Sequence, residues 1–414
     1  MRLITPLLIL STALLISCAE KKPVDRMTDE QLRSYANELA HTYIITDGHV
    51  DLPYRLRMKN FRLDREYMGI PVSTTEGDFD YERARKGGLD APFMSVYIPS
   101  SYQLQPDHGK ALADSLIHMI KTIAEQIPDK FALANTTAEV DANFKAGKIS
   151  LPMGMENGAP IGNELANLKY FYDRGIRYIT LTHGKDNQIS DSSYDTTSTW
   201  NGLSPFGERV VKEMNRIGIM VDISHVSDSA FYDVIKITKV PVIASHSSCR
   251  AFTPGFVRNM NDDMIKKLGE NGGVIQINFG SAFLDSAVRA GNDINRKKLR
   301  ELLGEKGLNA KDSLAKPVIA QFEKENPSLY ADVEIVADHI DHVVKLAGID
   351  HVGIGSDFDG VGDSLPTGLK DVSQYPNLIY ALLKRGYTEE DIAKICYQNV
   401  WRVWNKVEQT AKGS

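Results

Sequence analysis

The chain has 414 residues, 42% of them hydrophobic and 25% charged, with a formal net charge of −6. That is ordinary globular composition with enough length for a large core. There is no long basic run and no arginine-rich stripe, which argues against a nucleic-acid partner.

The first 17 residues have the form of an export signal. Arg2 supplies a positive start, and Leu7 to Ile16 is a mostly apolar stretch too short to span a bilayer. It closes on Leu15-Ile16-Ser17-Cys18, which resembles the bacterial lipobox, where the cysteine is lipidated and becomes the mature N-terminus. Lipid on Cys18 would anchor the protein to a bacterial membrane, at a periplasmic or cell-surface face, without making it span. Residues 18–27 are polar, contain Pro23 and suit a tether, leaving 28–414 for a single folded domain. Cys249 and Cys396 lack the local spacing of a disulfide framework and could pair only if the fold brings them together.

Thr28 to Gln31 fits a capping box opening a helix that runs to about residue 42. Eight strand-length apolar runs follow: Tyr43–Thr46, Phe93–Ile98, Ile149–Met155, Ile176–Thr182, Ile217–Ser224, Val240–Ser245, Val274–Asn278 and His351–Ser356. Most are uninterrupted, as expected of strands buried on both faces of a parallel sheet. Helical patterns lie between them. Val333, Val336, Ile340, Val343 and Val344 share one face, as do Val372, Tyr375, Leu378, Ile379, Leu382 and Leu383. Strands alternating with helices eight times predict an α/β fold of the TIM (β/α)₈ barrel type. No Gly-x-Gly-x-x-Gly follows the first strand, so a dinucleotide-binding open sheet lacks support. Insertions are expected at 53–88 after the first strand and at 280–330 after the seventh.

The polar residues fall at informative places. His49 and Asp51 follow the first run, and Glu156, His183, His225, His246 and Asp357 stand at the carboxyl ends of five others. In a barrel those ends share one face, where active sites of this architecture lie. Singly, each has an ordinary explanation: a histidine satisfied in a core, or an aspartate capping the next helix. Jointly, six strands would have to place such groups at the same end by accident. Of the 10 histidines, four belong to this set. His41, His108, His118 and His342 suit solvated helix positions, and His339 and His351 suit structural ones. Imidazole and carboxylate without thiolate favour Zn, Mn, Co or Fe. Three histidines and two carboxylates exceed what one four-coordinate catalytic zinc uses, and match two metals sharing a bridging carboxylate and clamping a hydroxide.

These residues carry a family resemblance. Asp47-Gly48-His49-Val50-Asp51-Leu52-Pro53 resembles the first-strand motif of the membrane (renal) dipeptidases. Further similar strings follow in order: Gly154-Met155-Glu156-Asn157-Gly158, Leu181-Thr182-His183, Val221-Asp222-Ile223-Ser224-His225, Ser245-His246-Ser247-Ser248, Arg258-Asn259 and Gly355-Ser356-Asp357-Phe358-Asp359-Gly360. The resemblance spans about 40–408 and implies a two-zinc metallo-dipeptidase. It implies that His49 and Asp51 hold one metal, His225 and His246 the other, and Glu156 bridges them. His183 would bind substrate and stabilise the oxyanion. Arg258 would grip the substrate carboxylate, and Asp357 would meet the amino group and carry the proton. Free dipeptides, L,L and L,D, are the implied substrates, and a homodimer is a further expectation, since the family is often dimeric.

Two other functions compete. A different metal-dependent amidohydrolase would resemble a barrel with His-x-His on its first strand, where this chain has His49-Val50-Asp51. A peptide-binding lipoprotein would have no use for an intact ligand set. Some positions depart from the family pattern. Asn157 stands where many relatives have glycine, Gly280 where mammalian members have tyrosine, and Cys249 lies three residues past His246. Asp359 is expected to form an Asx turn.

Overall fold

The computed structural model describes residues 24–59, 69–104 and 106–413. Cys18 and the export signal lie outside the described residues. The helix Asp29–Thr42 starts as the sequence dictates: Thr28 accepts from the Gln31 N–H, and the Gln31 side chain accepts from the Thr28 N–H.

Eight parallel strands follow: β1 Ile45–Val50, β2 Leu89–Tyr97, β3 Met153–Glu156, β4 Ile176–Thr180, β5 Met220–Asp222, β6 Ile243–Ser247, β7 Val274–Ile277 and β8 Val352–Ile354. Each pairs with the next, and β1 meets β8 through Asp47 and Ile354, closing the barrel. Nearly every strand residue is buried, which accounts for the unbroken apolar runs. The fold is the expected (β/α)₈ barrel.

One end of the barrel is plugged. The final helix, Asn399–Lys412, packs Val400, Val403, Trp404 and Val407 against Ile44, Phe93, Met220, Ile243 and Val274. Met220, Ile243 and Val274 begin their strands, so this helix covers the amino-terminal mouth. Chemistry is left to the opposite end.

Several strand boundaries differ from the sequence reading, among them β2, which starts at Leu89 and not Phe93, and β5, which is only Met220–Asp222 of the expected Ile217–Ser224. The expected Tyr43–Thr46 strand starts later, because the Tyr43 N–H still bonds to Leu39 as the helix C-cap. It also runs further, so His49 lies within β1 rather than after it. The run Ile149–Met155 splits at Pro152, which has no N–H for a ladder. Ile149–Leu151 pairs with Phe131–Leu133 in a separate two-stranded sheet, and Met153–Glu156 enters the barrel. Likewise β6 begins at Ile243 and includes His246.

Both expected insertions are present. The first carries helices Leu52–Met58, Gly69–Val72 and Tyr81–Gly87, and the second Ser281–Leu284, Ser286–Glu305 and Ala315–Glu325. The stretch from β2 to β3 holds a third elaboration, with helices Pro106–Gln126 and Thr137–Lys145 around the small sheet. Cys249 and Cys396 are buried free thiols, so the fold does not pair them. Among the described residues no helix is long and apolar enough to cross a membrane.

Candidate active site

The seven polar residues from six strands converge at the open end. Glu156, the last residue of β3, is at the centre. Its Oε1 lies 3.1 Å from His225 Nε2 and 3.3 Å from His246 Nε2. Its Oε2 lies 3.5 Å from His49 Nε2, which is itself 3.5 Å from Asp51 Oδ2. The two oxygens of one carboxylate thus address different partners. His183 Nε2 stands 3.6 Å from Oε1 and is the most exposed of the set.

The imidazoles are oriented from behind. Tyr178 donates its hydroxyl to the Gly48 carbonyl at 3.0 Å, so it can only accept from His49 Nδ1, 2.9 Å away. In the neutral ring that places the proton on Nδ1 and leaves the Nε2 lone pair, the one a cation would take, toward Glu156 and Asp51. His246 follows the same logic. Ser245 donates to Asp222 Oδ2 at 2.7 Å and therefore accepts from His246 Nδ1, also at 2.7 Å. Asp222 is fully buried and also takes the Ser224 and Ser245 N–H groups. Asp47 does comparable work under β1, accepting from the His49 and Ser356 N–H groups and from Tyr375.

The electrostatics call for cations. Burial pushes His225 and His246 well below the usual imidazole range, so both are neutral lone-pair donors. Burial also opposes charge on His49, but Tyr178, Glu156 and Asp51 outweigh it and raise its pKa well above normal. Burial would raise Glu156, yet the surrounding histidines hold it well below the carboxylate range. His225 Nε2 and His246 Nε2 are only 2.8 Å apart. His49 Nε2 and Asp51 Oδ1 are buried with no hydrogen-bond partner, a costly state for polar groups unless a ligand satisfies them. Three sets of side chains bring ligand atoms within 4.8 Å of one another: His49, Glu156 and His246; Glu156, His183 and His225; His49, Asp51 and Asp357. The donor chemistry fits metal ions.

Comparison with known proteins agrees. The family model for membrane dipeptidase (peptidase family M19) matches residues 33–414. The chain belongs to the membrane dipeptidase family. The enzyme is a metal-dependent dipeptidase, a hydrolase acting on peptide bonds. It is 34% identical over 372 residues to dipeptidase tcpJ of Claviceps purpurea, covering 88% of this chain and 77% of that one. Among solved structures, the "probable dipeptidase PvdM from Pseudomonas aeruginosa" is 25% identical with a TM-score of 0.76, covering 92% of this chain and 100% of that one. Dipeptidase AC, a metallo peptidase of the same family, is 25% identical with a TM-score of 0.72, covering 88% and 99%.

The remaining residues of this dipeptidase line the same face. Arg258 is 3% exposed. Its Nη1 donates to Ser247 Oγ and its Nη2 to the His246 carbonyl, both at 2.7 Å, while Nε has no partner. Asp357 adopts a left-handed φ of 63°, and His225 one of 68°. Such conformations are unfavourable for L-residues and cluster at functional sites. Burial pushes the Asp357 carboxyl up to about 7; His49 opposes this, and Asp51 and Glu156 add to it.

The departures also find explanations. Asn157 has φ 79°, which asparagine tolerates. Its side chain donates to the Ile98 carbonyl and to Gln103, and accepts from the Ala159 N–H and from Asn187, so the loop after Glu156 is tied down. Cys249 turns its thiol to the His339 carbonyl and its N–H to His339 Nδ1, making His339 structural as expected. Asp359 is not the expected Asx turn. It pairs with Arg55 at 3.0 Å and accepts the Asp78 N–H, fastening the first insertion to the loop after β8.

The sequence reading missed Asp47, Asp222, Tyr178 and Asn278. Asn278 donates to Asp357 Oδ2 at 2.7 Å, and its own oxygen is fixed by the Gly280 N–H. A signal existed for the two aspartates: each stands beside a buried apolar strand run, where an unpaired carboxylate is rare.

Proposed function

We propose that this enzyme hydrolyses free dipeptides, L,L and L,D, with two zinc ions bridged by Glu156. His49 and Asp51 would hold one ion, and His225 and His246 the other. What supports this most is that Glu156 directs Oε1 to one pair of histidines and Oε2 to the His49 and Asp51 side. Metal ions bound there would polarise the scissile carbonyl and bring the pKa of a water to about 7, supplying a nucleophile at neutral pH.

The chain's own groups do the rest. Asp357, set beyond β8, takes up the substrate ammonium, accepts the proton given up by the attacking water and passes it to the departing amine. Arg258 receives the carboxylate: its unpartnered Nε and the remaining Nη hydrogens form a buried, planar donor fork. His183, neutral because burial lowers its pKa, donates to the oxygen on which negative charge develops. Gripping both termini limits the substrate to two residues. The configuration at the second residue is left to the wall its side chain meets.

Arg258→Ala tests the arrangement. It should raise KM for dipeptides with a free carboxylate by roughly 10- to 100-fold, the loss of a charge-assisted hydrogen bond. A carboxyl-amidated dipeptide should lose far less, and equal losses on both substrates would contradict the role. We also propose that Cys18 is lipidated. Cys18→Ala should then move the protein from the membrane fraction to the soluble one, and unchanged membrane association would refute this.

A further inference from the structure

The loop from His183 to Ser204 carries a side chain that the mechanism above does not use. Its backbone is firmly held. The Ser193 N–H bonds to the His225 carbonyl at 2.8 Å, and Ser192 bridges to Val226. Ser192 Oγ donates to the His183 carbonyl and accepts the Tyr194 N–H. Asp186 receives the Ser192 N–H and the hydroxyls of Thr197 and Thr199. Tyr194 is therefore presented from a rigid base, between two residues of the site.

Its ring lies over the catalytic face. The centroid is 5.7 Å from that of His225 and 6.2 Å from that of Phe256. Phe256 is 5.5 Å from Phe283, and the Arg258 guanidinium carbon sits 5.5 Å from the Phe283 ring. Phe283 reaches that place because Gly280 lets it: a Cβ at 280 would come within 2.8 Å of its ring. The Tyr194 hydroxyl makes no hydrogen bond among the described residues, and the buried Ser193 Oγ beside it in the loop also lacks a partner. Burial raises the Tyr194 pKa, while the charge of Arg258 acts to lower it and that of Asp357 to raise it. A hydroxyl without a partner on a rigid loop, within electrostatic reach of a buried cation whose Nε is also unpartnered, gives two donors that one anion can satisfy.

We infer that Tyr194 is a substrate-binding residue whose hydroxyl joins Arg258 in receiving the dipeptide carboxylate, and whose ring, with Phe256 and Phe283, walls the pocket for the second side chain. This rests on the dipeptidase site proposed above. The pocket favours dipeptides with a large apolar second residue over those with an acidic one.

Steady-state kinetics on zinc-loaded protein test it, with alanyl dipeptides ending in glycine, phenylalanine or aspartate. At 41% exposure Tyr194 tolerates replacement without disturbing a core. Tyr194→Phe should raise KM about tenfold on all three substrates and leave kcat within about twofold, the mark of a lost hydrogen bond to a charged group. In Arg258→Ala protein the same change should cost much less, because the two donors share one anion. Tyr194→Ala should in addition abolish the preference for phenylalanine over glycine. An unchanged KM in Tyr194→Phe, or full additivity with Arg258→Ala, overturns the inference while leaving the dipeptidase reading intact. Wild-type protein that binds zinc and cleaves none of the dipeptides overturns both.

Discussion

His225→Ala is expected to remove one of the two proposed metal ions and nearly all dipeptide cleavage. The imidazole is buried against Glu156 Oε1 and His246. His183 is the nearest replacement, but its Nε2 is 3.6 Å from Glu156 and faces solvent more openly. Lewis-acid assistance is worth several kcal/mol, so a drop of roughly 10³-fold or more in kcat/KM is expected. Metal analysis of dialysed protein should show about half the wild-type content. Full activity, or an unchanged metal content, would sink the assignment of His225. The barrel itself should remain folded, because the substitution lies in a loop beyond β5 and leaves the plugged end untouched.

Asp357→Asn should lower kcat by about 10²- to 10⁴-fold with metal content unchanged. Asparagine preserves the shape of the group but cannot pass a proton to the leaving amine. The test also separates two roles that geometry places close together. Asp357 offers a ligand atom within 4.8 Å of those of His49 and Asp51. Loss of metal in Asp357→Asn would show that it is a ligand, contrary to the proton-carrying role.

Much of this site was legible before any coordinates. The barrel could be read because parallel strands buried on both faces leave unbroken apolar runs. The face could be read because His183, His225 and Asp357 interrupt those runs at the same end. Boundaries were less legible. His49 and His246 lie inside their strands, since a strand end is set by ladder pairing and not by hydropathy. The split at Pro152 depended on which partner each half would find, a non-local matter. The supporting residues were harder still. Tyr178 works on His49 from 129 positions away, and Asn278 on Asp357 from 79. No local spacing encodes such a contact. Asp359 looked like a turn residue, and its pairing with Arg55, 304 positions distant, was equally invisible.

The most direct test uses a chain that begins after Cys18, stripped with chelator and then given zinc. Amine release is followed from L,L- and L,D-dipeptides and from one tripeptide. Zinc should restore cleavage of the dipeptides and leave the tripeptide intact, because Asp357 and Arg258 would fix the two ends of a two-residue substrate. Cleavage of the tripeptide at a similar rate, or no cleavage of any dipeptide with about two zinc ions bound, would contradict it.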